Sequence, residues 1–345
     1  MTNDFNFTNM RNFNLPLLAS SLLFSPLLAS CDDDDVFFRQ AQTPDLVDWD
    51  GNVLRNVRLA STGYYDYSYD DYGIINGFAI EGGDFAGLVQ NPFSIDLSGR
   101  TFSDTYSISL DDSGLVRSIR NSYSGSDVDD DGDDYSYSGH HYFSFRYNGL
   151  QQIRSVSVTT SEMLTYSQSS QILSSSESYS FYYDDDDAIT RMDGTIRQSN
   201  VSLGYNVSTS LVAKFRDVEL FNPYGLYTPS YANVAFNDVV AEGLALIGLL
   251  GRASTYLPSG CVVSQEVSST YDGVSSSDSF SDRVDFQVSL AADGLILDAD
   301  DWQFSYYDDL DIVSTDYDVE ESAVSPTCDV SHKASLRHLV RKQAL

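Results

Sequence analysis

A fourteen-residue pattern that recurs along the chain constrains the fold more than any other feature of the sequence. Each copy starts with three apolar or aromatic residues at alternate positions, passes through a turn, and ends with a second short apolar segment. A period of two is typical of a β-strand with one buried face, so each copy predicts a β-hairpin with strands of about five to six residues. The copies are YDYSYDDYGIINGF from Tyr65, YSISLDDSGLVRSI from Tyr106, FSFRYNGLQQIRSV from Phe143, YSFYYDDDDAITRM from Tyr179 and FQVSLAADGLILDA from Phe286.

The return strand of each unit carries an irregular apolar spacing. Ile75 and Phe78, like Val116 and Ile119, lie three residues apart, and a regular strand would place them on opposite faces. A β-bulge is one explanation for this spacing.

One segment breaks the strand pattern. Residues 237–250 read NDVVAEGLALIGLL, with a plausible N-cap at Asn237 and apolar residues nearly all round, which predicts a buried helix. At about 14 residues this helix is too short to span a bilayer. The predicted fold is therefore mainly β: a curved antiparallel sheet or wide barrel built from repeated β-hairpins, with one buried helix near 238–250.

The first thirty residues have the features of a targeting signal. An apolar stretch from Leu15 to Leu28 has the length of a signal-peptide core, so residues 1–30 are excluded from the predicted fold. The segment Leu28-Ala29-Ser30-Cys31 resembles a bacterial lipobox, which implies that diacylglycerol is attached to Cys31. The alternative is an ordinary secretory signal followed by an unrelated cysteine.

The predicted domain organisation follows from this signal. Residues 31–50 form an acidic tether that includes Asp32 to Asp35, residues 51–329 form the repeated-hairpin β domain, and residues 330–345 form a basic C-terminal tail. The acidic run after the cysteine resembles that of Bacteroidetes lipoproteins that reach the cell surface. In enterobacterial systems an Asp at this place instead resembles an inner-membrane retention signal, and a solvated linker is the third alternative.

The lipobox, the tether, the hairpins and the apolar helix before Pro258 together resemble a family of Bacteroidetes lipoproteins. The hairpin unit is also similar to the tyrosine–aspartate repeat of Rhs-type shell proteins, although its spacing here is longer. The lipoprotein resemblance implies a porin-like domain and a lipid-anchored place in the outer membrane, on the periplasmic or cell-surface face. It supplies no catalytic residue.

The cysteines and one acidic loop are the remaining candidate sites. Cys261 and Cys328 predict a disulfide in an oxidising compartment, with two unpaired thiols as the alternative. The segment from Asp127 to Asp134 contains alternating carboxylates followed by a glycine, the principle of calcium loops. Asp127, Asp129, Asp131 and Asp133 are the candidate calcium ligands, and solvated charge is the alternative.

The charge balance limits the partners. With 51 acidic against 19 basic residues the formal net charge is −32, which argues against nucleic acid because phosphates must be met by clustered Lys and Arg. The sequence shows no HExxH, GxSxG or phosphate-binding glycine pattern. Two hypotheses remain: a non-enzymatic, membrane-anchored scaffold that binds a glycan or protein ligand, and a surface glycan-processing enzyme that uses Asp carboxylates.

Overall fold

Antiparallel β-strands dominate the computed structural model, and the predicted mainly-β class is confirmed. Within the described ranges, no helix is long and apolar enough to cross a membrane. The structure describes residues 46–54, 57–69, 75–80, 88–91, 94–98, 102–128, 134–166, 169–200, 204–216, 218–271, 273–300, 302–308 and 311–313.

The first half of the chain contains short strands followed by long ones. The short strands are β1 (Leu46–Val47), β2 (Val53–Leu54), β3 (Arg58–Ser61), β4 (Tyr65–Tyr69), β5 (Ile75–Ile80), β6 (Leu88–Asn91) and β7 (Ser94–Asp96). The long strands are β8 (Phe102–Leu110), β9 (Val116–Val128), β10 (Asp134–Tyr147), β11 (Ile153–Tyr166), β12 (Ser170–Tyr183), β13 (Ile189–Asn200) and β14 (Tyr205–Arg216).

Two short helices interrupt the strands in the second half of the chain. The elements there are β15 (Leu220–Phe221), α1 (Pro229–Phe236), α2 (Val239–Leu246), β16 (Tyr256–Leu257), β17 (Gly260–Tyr271), β18 (Val274–Asp285), β19 (Val288–Leu290), β20 (Ile296–Ala299), β21 (Trp302–Gln303), β22 (Ser305–Asp308) and β23 (Asp311–Val313).

The largest sheet has 11 strands, in the order β6-β7-β8-β9-β10-β11-β12-β13-β14-β17-β18. Strands that follow one another in the sequence lie side by side in this sheet. The exception is the β14–β17 pair, whose strands are separated in sequence by β15, the two helices and β16. Among the described strands the sheet is open, with β6 and β18 at its edges. Of the two predicted forms, the open sheet is therefore observed. A 5-stranded sheet, β23-β22-β3-β4-β5, and three smaller ones complete the fold.

The four repeat units whose turns the structure describes share one turn conformation. In the turns that begin at Asp111, Asn148, Asp184 and Ala291, the first residue's N–H donates to the carbonyl of the fifth residue, and the fourth donates to the first. The fourth residue has positive φ in each case, which explains the glycines found there, although Gln151 (φ 65°) and Asp187 (φ 59°) also adopt it. The turn between β1 and β2, with Gly51 at φ 86°, has the same pattern and spans the predicted boundary between the tether and the β domain.

A β-bulge accounts for the apolar residues three apart. In each of the five units the second residue of the return strand has no partner, as with Arg117, since Leu110 pairs with Val116 and Ser109 with Ser118. The same shift occurs at Asn76, Arg154, Thr190 and Leu297. The bulge returns Val116 and Ile119 to the same face, and both have 0% exposure.

The strands are much longer than predicted. The expected length was about five to six residues, but β10, β11 and β12 have 14 residues each. Each strand continues beyond the apolar unit through a segment in which serine alternates with partly buried residues, such as Ser174 to Ser178 in β12. Serine has little strand propensity of its own, so pairing with the neighbouring strands on both sides extends these segments.

The predicted buried helix is present, but it is shorter and is preceded by a second helix that was not predicted. Asp238, not Asn237, is the N-cap of α2, since its carboxylate accepts from the N–H groups of Val240 (3.1 Å) and Ala241 (2.9 Å). Asn237 is instead the left-handed C-cap of α1. The helices pack against the large sheet, as the Phe145 and Phe236 rings show at 6.2 Å. We call the face of the sheet that carries Phe145 the inner face and the opposite one the outer face.

Several predicted features lie outside the described residues. These are the signal peptide, Cys31, the tether up to residue 45, Cys328 and the tail from residue 330.

Candidate functional site

The outer face of the large sheet consists mainly of hydroxyl groups. In β12, for example, Ser174, Ser176, Ser178 and Ser180 are exposed, and they alternate with residues on the inner face. The period-two pattern in the sequence predicted a wet face of this kind, which is confirmed.

The strand register aligns these hydroxyls in rows that run across the sheet. One row contains seven consecutive hydroxyl residues on neighbouring strands, followed by a glutamate and another serine. The row is Ser109, Ser118, Ser144, Ser157, Ser178, Thr195, Ser210, Glu266 and Ser279. Neighbouring members are separated by the strand spacing of about 4.8 Å. Ser109 and Ser118 share a hydrogen bond of 2.6 Å between their hydroxyls.

A groove of about 570 Å³ opens at the end of β8 to β11 that is far from the helices. Most of its lining side chains are hydroxyls of the outer face, joined by the thioether of Met163. The lining hydroxyl residues are Ser103, Ser124, Ser126, Ser136, Ser138 and Thr165. The groove is therefore polar and suits a hydrated ligand better than an apolar one.

The basic residues of the long strands lie on the outer face as well. Every Lys and Arg of β8 to β14, β17 and β18 lies there, as the alternation of buried and exposed positions along each strand shows. The two arginines at bulges, Arg117 and Arg154, are exposed as well. The basic residues of this face are Arg117, Arg120, Arg146, Arg154, Arg191, Arg197, Lys214, Arg216 and Arg283. The acidic residues of the same strands on that face are Asp134, Asp193, Glu266 and Asp285.

The inner face carries a row of polar residues beyond the region covered by the helices. The amide of Asn121, which is 2% exposed, donates to the Asp104 carboxylate at 2.5 Å. The Tyr123 hydroxyl donates to Glu162 at 3.2 Å, and its ring lies 5.1 Å from that of His141. This row is positioned by β8 to β11 and was not predicted, because the sequence alone does not give the pairing of these strands.

Two inner-face carboxyls have raised pKa values. Burial raises the pKa of Asp104 to about 6, with smaller contributions from the charges of Asp238 and Asp96, while the Asn121 hydrogen bond opposes the shift. Burial also raises the pKa of Glu177, against the hydrogen bond from Tyr179. Asp104 lies on β8 and Glu177 on β12, so they are separated by about 19 Å across the sheet and by a further offset of about 13 Å along the strands. Paired carboxylates in glycoside hydrolases lie about 5 to 10 Å apart.

Of the four candidate calcium ligands, the structure describes only Asp127. Asp127 is exposed near the end of β9 and pairs with Tyr135, whereas Asp129, Asp131 and Asp133 lie outside the described residues. In the part of the chain that the structure covers, no group of three His, Cys, Asp or Glu residues is arranged to hold a metal. Calcium binding at this loop stays a prediction.

The structure describes one of the two cysteines of the predicted disulfide. Cys261 is fully buried at the start of β17, between Phe215 and Val284 on the neighbouring strands. Burial raises the pKa of its thiol to about 12. Its pairing with Cys328 stays a prediction.

Comparisons with known proteins give a weak structural likeness. No protein-family model matches the chain, and no curated protein does. A solved porin-like protein from Bacteroides vulgatus ATCC 8482 is 12% identical with a TM-score of 0.38, over 72% of this chain and 90% of that chain. A porin-like protein from Bacteroides uniformis ATCC 8492 is 11% identical with a TM-score of 0.35, over 72% and 92%. These similarities are too low to support an argument about activity, and they identify neither a lipoprotein family nor a tyrosine–aspartate repeat.

Proposed function

We propose that this chain is a lipid-anchored protein of the bacterial outer membrane that acts as a non-enzymatic binding scaffold. The observation that carries the proposal is the row of seven hydroxyls across neighbouring strands of the outer face. Regularly spaced hydroxyls donate and accept hydrogen bonds, which suits the hydroxyl groups of a glycan. A glycan is therefore the proposed ligand, in preference to a protein.

The anchor is proposed from the sequence. An apolar segment of signal-peptide length ends in Leu28-Ala29-Ser30-Cys31, and an acidic run follows. The test is metabolic labelling with an alkyne fatty acid in a bacterial host that expresses the full chain. The protein should incorporate the label and fractionate with the outer membrane, and Cys31→Ser should abolish labelling.

Cys261→Ser is the matched control and should keep the label, because Cys261 lies in the folded sheet. A wild-type chain without the label would contradict lipidation. Protease treatment of intact cells would then show whether the anchored domain faces the surface or the periplasm.

Glycan binding is tested with the acylated protein purified in a neutral detergent. On a glycan array the wild type should bind a defined set of glycans, and Ser157→Ala combined with Ser178→Ala should weaken that binding several-fold. The control removes two exposed serines away from the outer face, Ser113 and Ser289, and should have little effect. The proposal fails if no glycan is bound or if both variants behave alike.

The alternative, a surface glycan-processing enzyme, is less well supported by the inner-face carboxyls. Asp104 and Glu177 are too far apart to share one glycosidic bond. Product analysis after incubation with the bound glycans separates the two functions. Cleavage by the wild type that is lost in Asp104→Asn would favour the enzyme.

A further inference from the structure

The charge of the outer face is opposite to that of the whole molecule. The chain carries a formal net charge of −32, but on the outer face of the long strands the basic residues outnumber the acidic ones. In a chain with this net charge, a random distribution of charged residues would place more acidic than basic residues on the outer face. The difference points to a ligand or partner that is itself negatively charged.

Part of this charge forms a continuous feature that we call the basic band. Arg117, Arg146 and Arg154 are exposed on the adjacent strands β9, β10 and β11. Tyr182 on β12, with 47% of its surface exposed, continues the line, and Lys214 on β14 ends it. Tyr182 pairs with Arg191, which pairs with Lys214, so the band crosses about five strand spacings, or roughly 24 Å.

Among the described residues, the cations of the basic band have no acidic partner. Arg117, Arg146, Arg154 and Lys214 form neither an ion pair nor a side-chain hydrogen bond with any described residue. Arg191, Arg216 and Arg283 differ in this respect, since they pair with Asp193 or Asp285. These four cations, which lie along one line and pair with no carboxylate in the described part of the chain, are available to an external anion.

The shape of the basic band favours one class of ligand. An extended anionic surface, such as a membrane, would meet the repulsion of the whole acidic molecule, whereas a narrow chain meets the band alone. The serines beside the band suit sugar hydroxyls, and the exposed ring of Tyr182 offers a face on which a sugar ring can pack. Arginine also binds carboxylate and sulfate groups through paired N–H donors.

We propose that the basic band binds an acidic polysaccharide that carries carboxylate or sulfate groups. This inference deepens the proposed function and rests on it, because it names the class of glycan and the part of the outer face that binds it. Binding should weaken as salt is added, since the contacts are exposed charge pairs.

The test uses the full-length acylated protein in neutral detergent and four immobilised probes: heparin, polygalacturonate, dextran and phosphatidylglycerol vesicles. Heparin or polygalacturonate should bind, dextran should bind more weakly, and the comparison of the first two separates sulfate from carboxylate. The combined change Arg117→Gln, Arg146→Gln and Arg154→Gln should reduce binding of the acidic polysaccharide at least tenfold.

The matched control is Arg197→Gln, Arg216→Gln and Arg283→Gln, which removes the same charge from the same face at positions outside the basic band. It should change the affinity by no more than about twofold, and circular dichroism should show that both triple variants fold. Equal loss in the two variants, or binding to the vesicles alone, would overturn the inference. If neutral glycans bind and the acidic ones bind no better, the basic band is wrong while the proposed function stands; if no glycan binds, both fail.

Discussion

The ring of Tyr123 lies across Gly139, its direct cross-strand partner, and its hydroxyl reaches Glu162 on the strand beyond. A Cβ atom at position 139 would be 2.5 Å from the Tyr123 hydroxyl and 2.8 Å from the Ser161 backbone oxygen. Gly139→Ala should therefore lower the free energy of unfolding by about 1 to 3 kcal/mol, as overpacking does elsewhere. Gly149→Ala is the control, because nothing lies within 4 Å of its added Cβ. Equal denaturant midpoints for the two variants would refute this arrangement.

The stability of the protein should depend on the titration of Asp104. Burial raises the pKa of Asp104 from 3.8 to about 6, so between these pH values the folded state binds more protons than the unfolded state. Stability from this group is then greatest at low pH and falls as the pH rises through about 6. The full shift corresponds to at most about 3 kcal/mol, and solvent screening of the partly exposed carboxylate lowers its effect on stability.

The variant Asp104→Asn should not show this loss of stability at higher pH. Its stability relative to the wild type should increase between pH 4 and pH 7, as measured by urea unfolding at each pH. Asp185→Asn, at an exposed turn, reports the general effect of removing a carboxylate. A difference between wild type and Asp104→Asn that does not vary with pH would contradict the raised pKa.

A glycine in helix α2 allows the helix to approach the 5-stranded sheet. A Cβ on Gly243 would lie 2.6 Å from two ring atoms of Phe78 and 3.0 Å from Tyr65. In an exposed helix Gly→Ala stabilises by about 1 kcal/mol, but here we expect Gly243→Ala to destabilise by about 1 to 3 kcal/mol. Thermal unfolding of Gly243→Ala, Phe78→Leu and the double variant tests the contact. The two losses should be less than additive, and strict additivity would argue against it.

Added salt should stabilise the folded protein. With a net charge of −32 the acidic groups repel one another, and raising NaCl from 0.1 to 1 M shortens the screening length from about 10 Å to about 3 Å. The unfolding midpoint should rise over this range by calorimetry. A flat or falling midpoint would show that self-repulsion does not limit stability.

The buried thiol offers a test of the predicted disulfide. Non-reducing peptide mapping of the mature protein should recover Cys261 linked to Cys328. Recovery of both peptides as free thiols after rapid alkylation of the unfolded protein would exclude the bridge.

The sequence was informative where a residue's role depends on its immediate neighbours. Alternation identified Phe143 and Phe145 as buried, and both are 4% exposed. The spacing of Val116 and Ile119 signalled a bulge, but the unpaired residue, Arg117, became known only from the register. Asn121 and Asp104 were not predicted to interact, because their contact depends on the pairing of β8 with β9. The extent of the strands was underestimated because serine alone gives no signal of either strand or loop.

The repeated bulges have a consequence for how the sheet keeps its alignment. The outer rows consist largely of serine, so sliding one strand by two residues would place serine beside serine again and carry little penalty on that side. The information that selects one alignment lies instead in the hairpin ends, where an unpaired residue and a left-handed turn residue recur at the same place. Each hairpin thus sets its own alignment. A chain of this design can therefore gain or lose two strands at a time without exchanging its inner and outer faces.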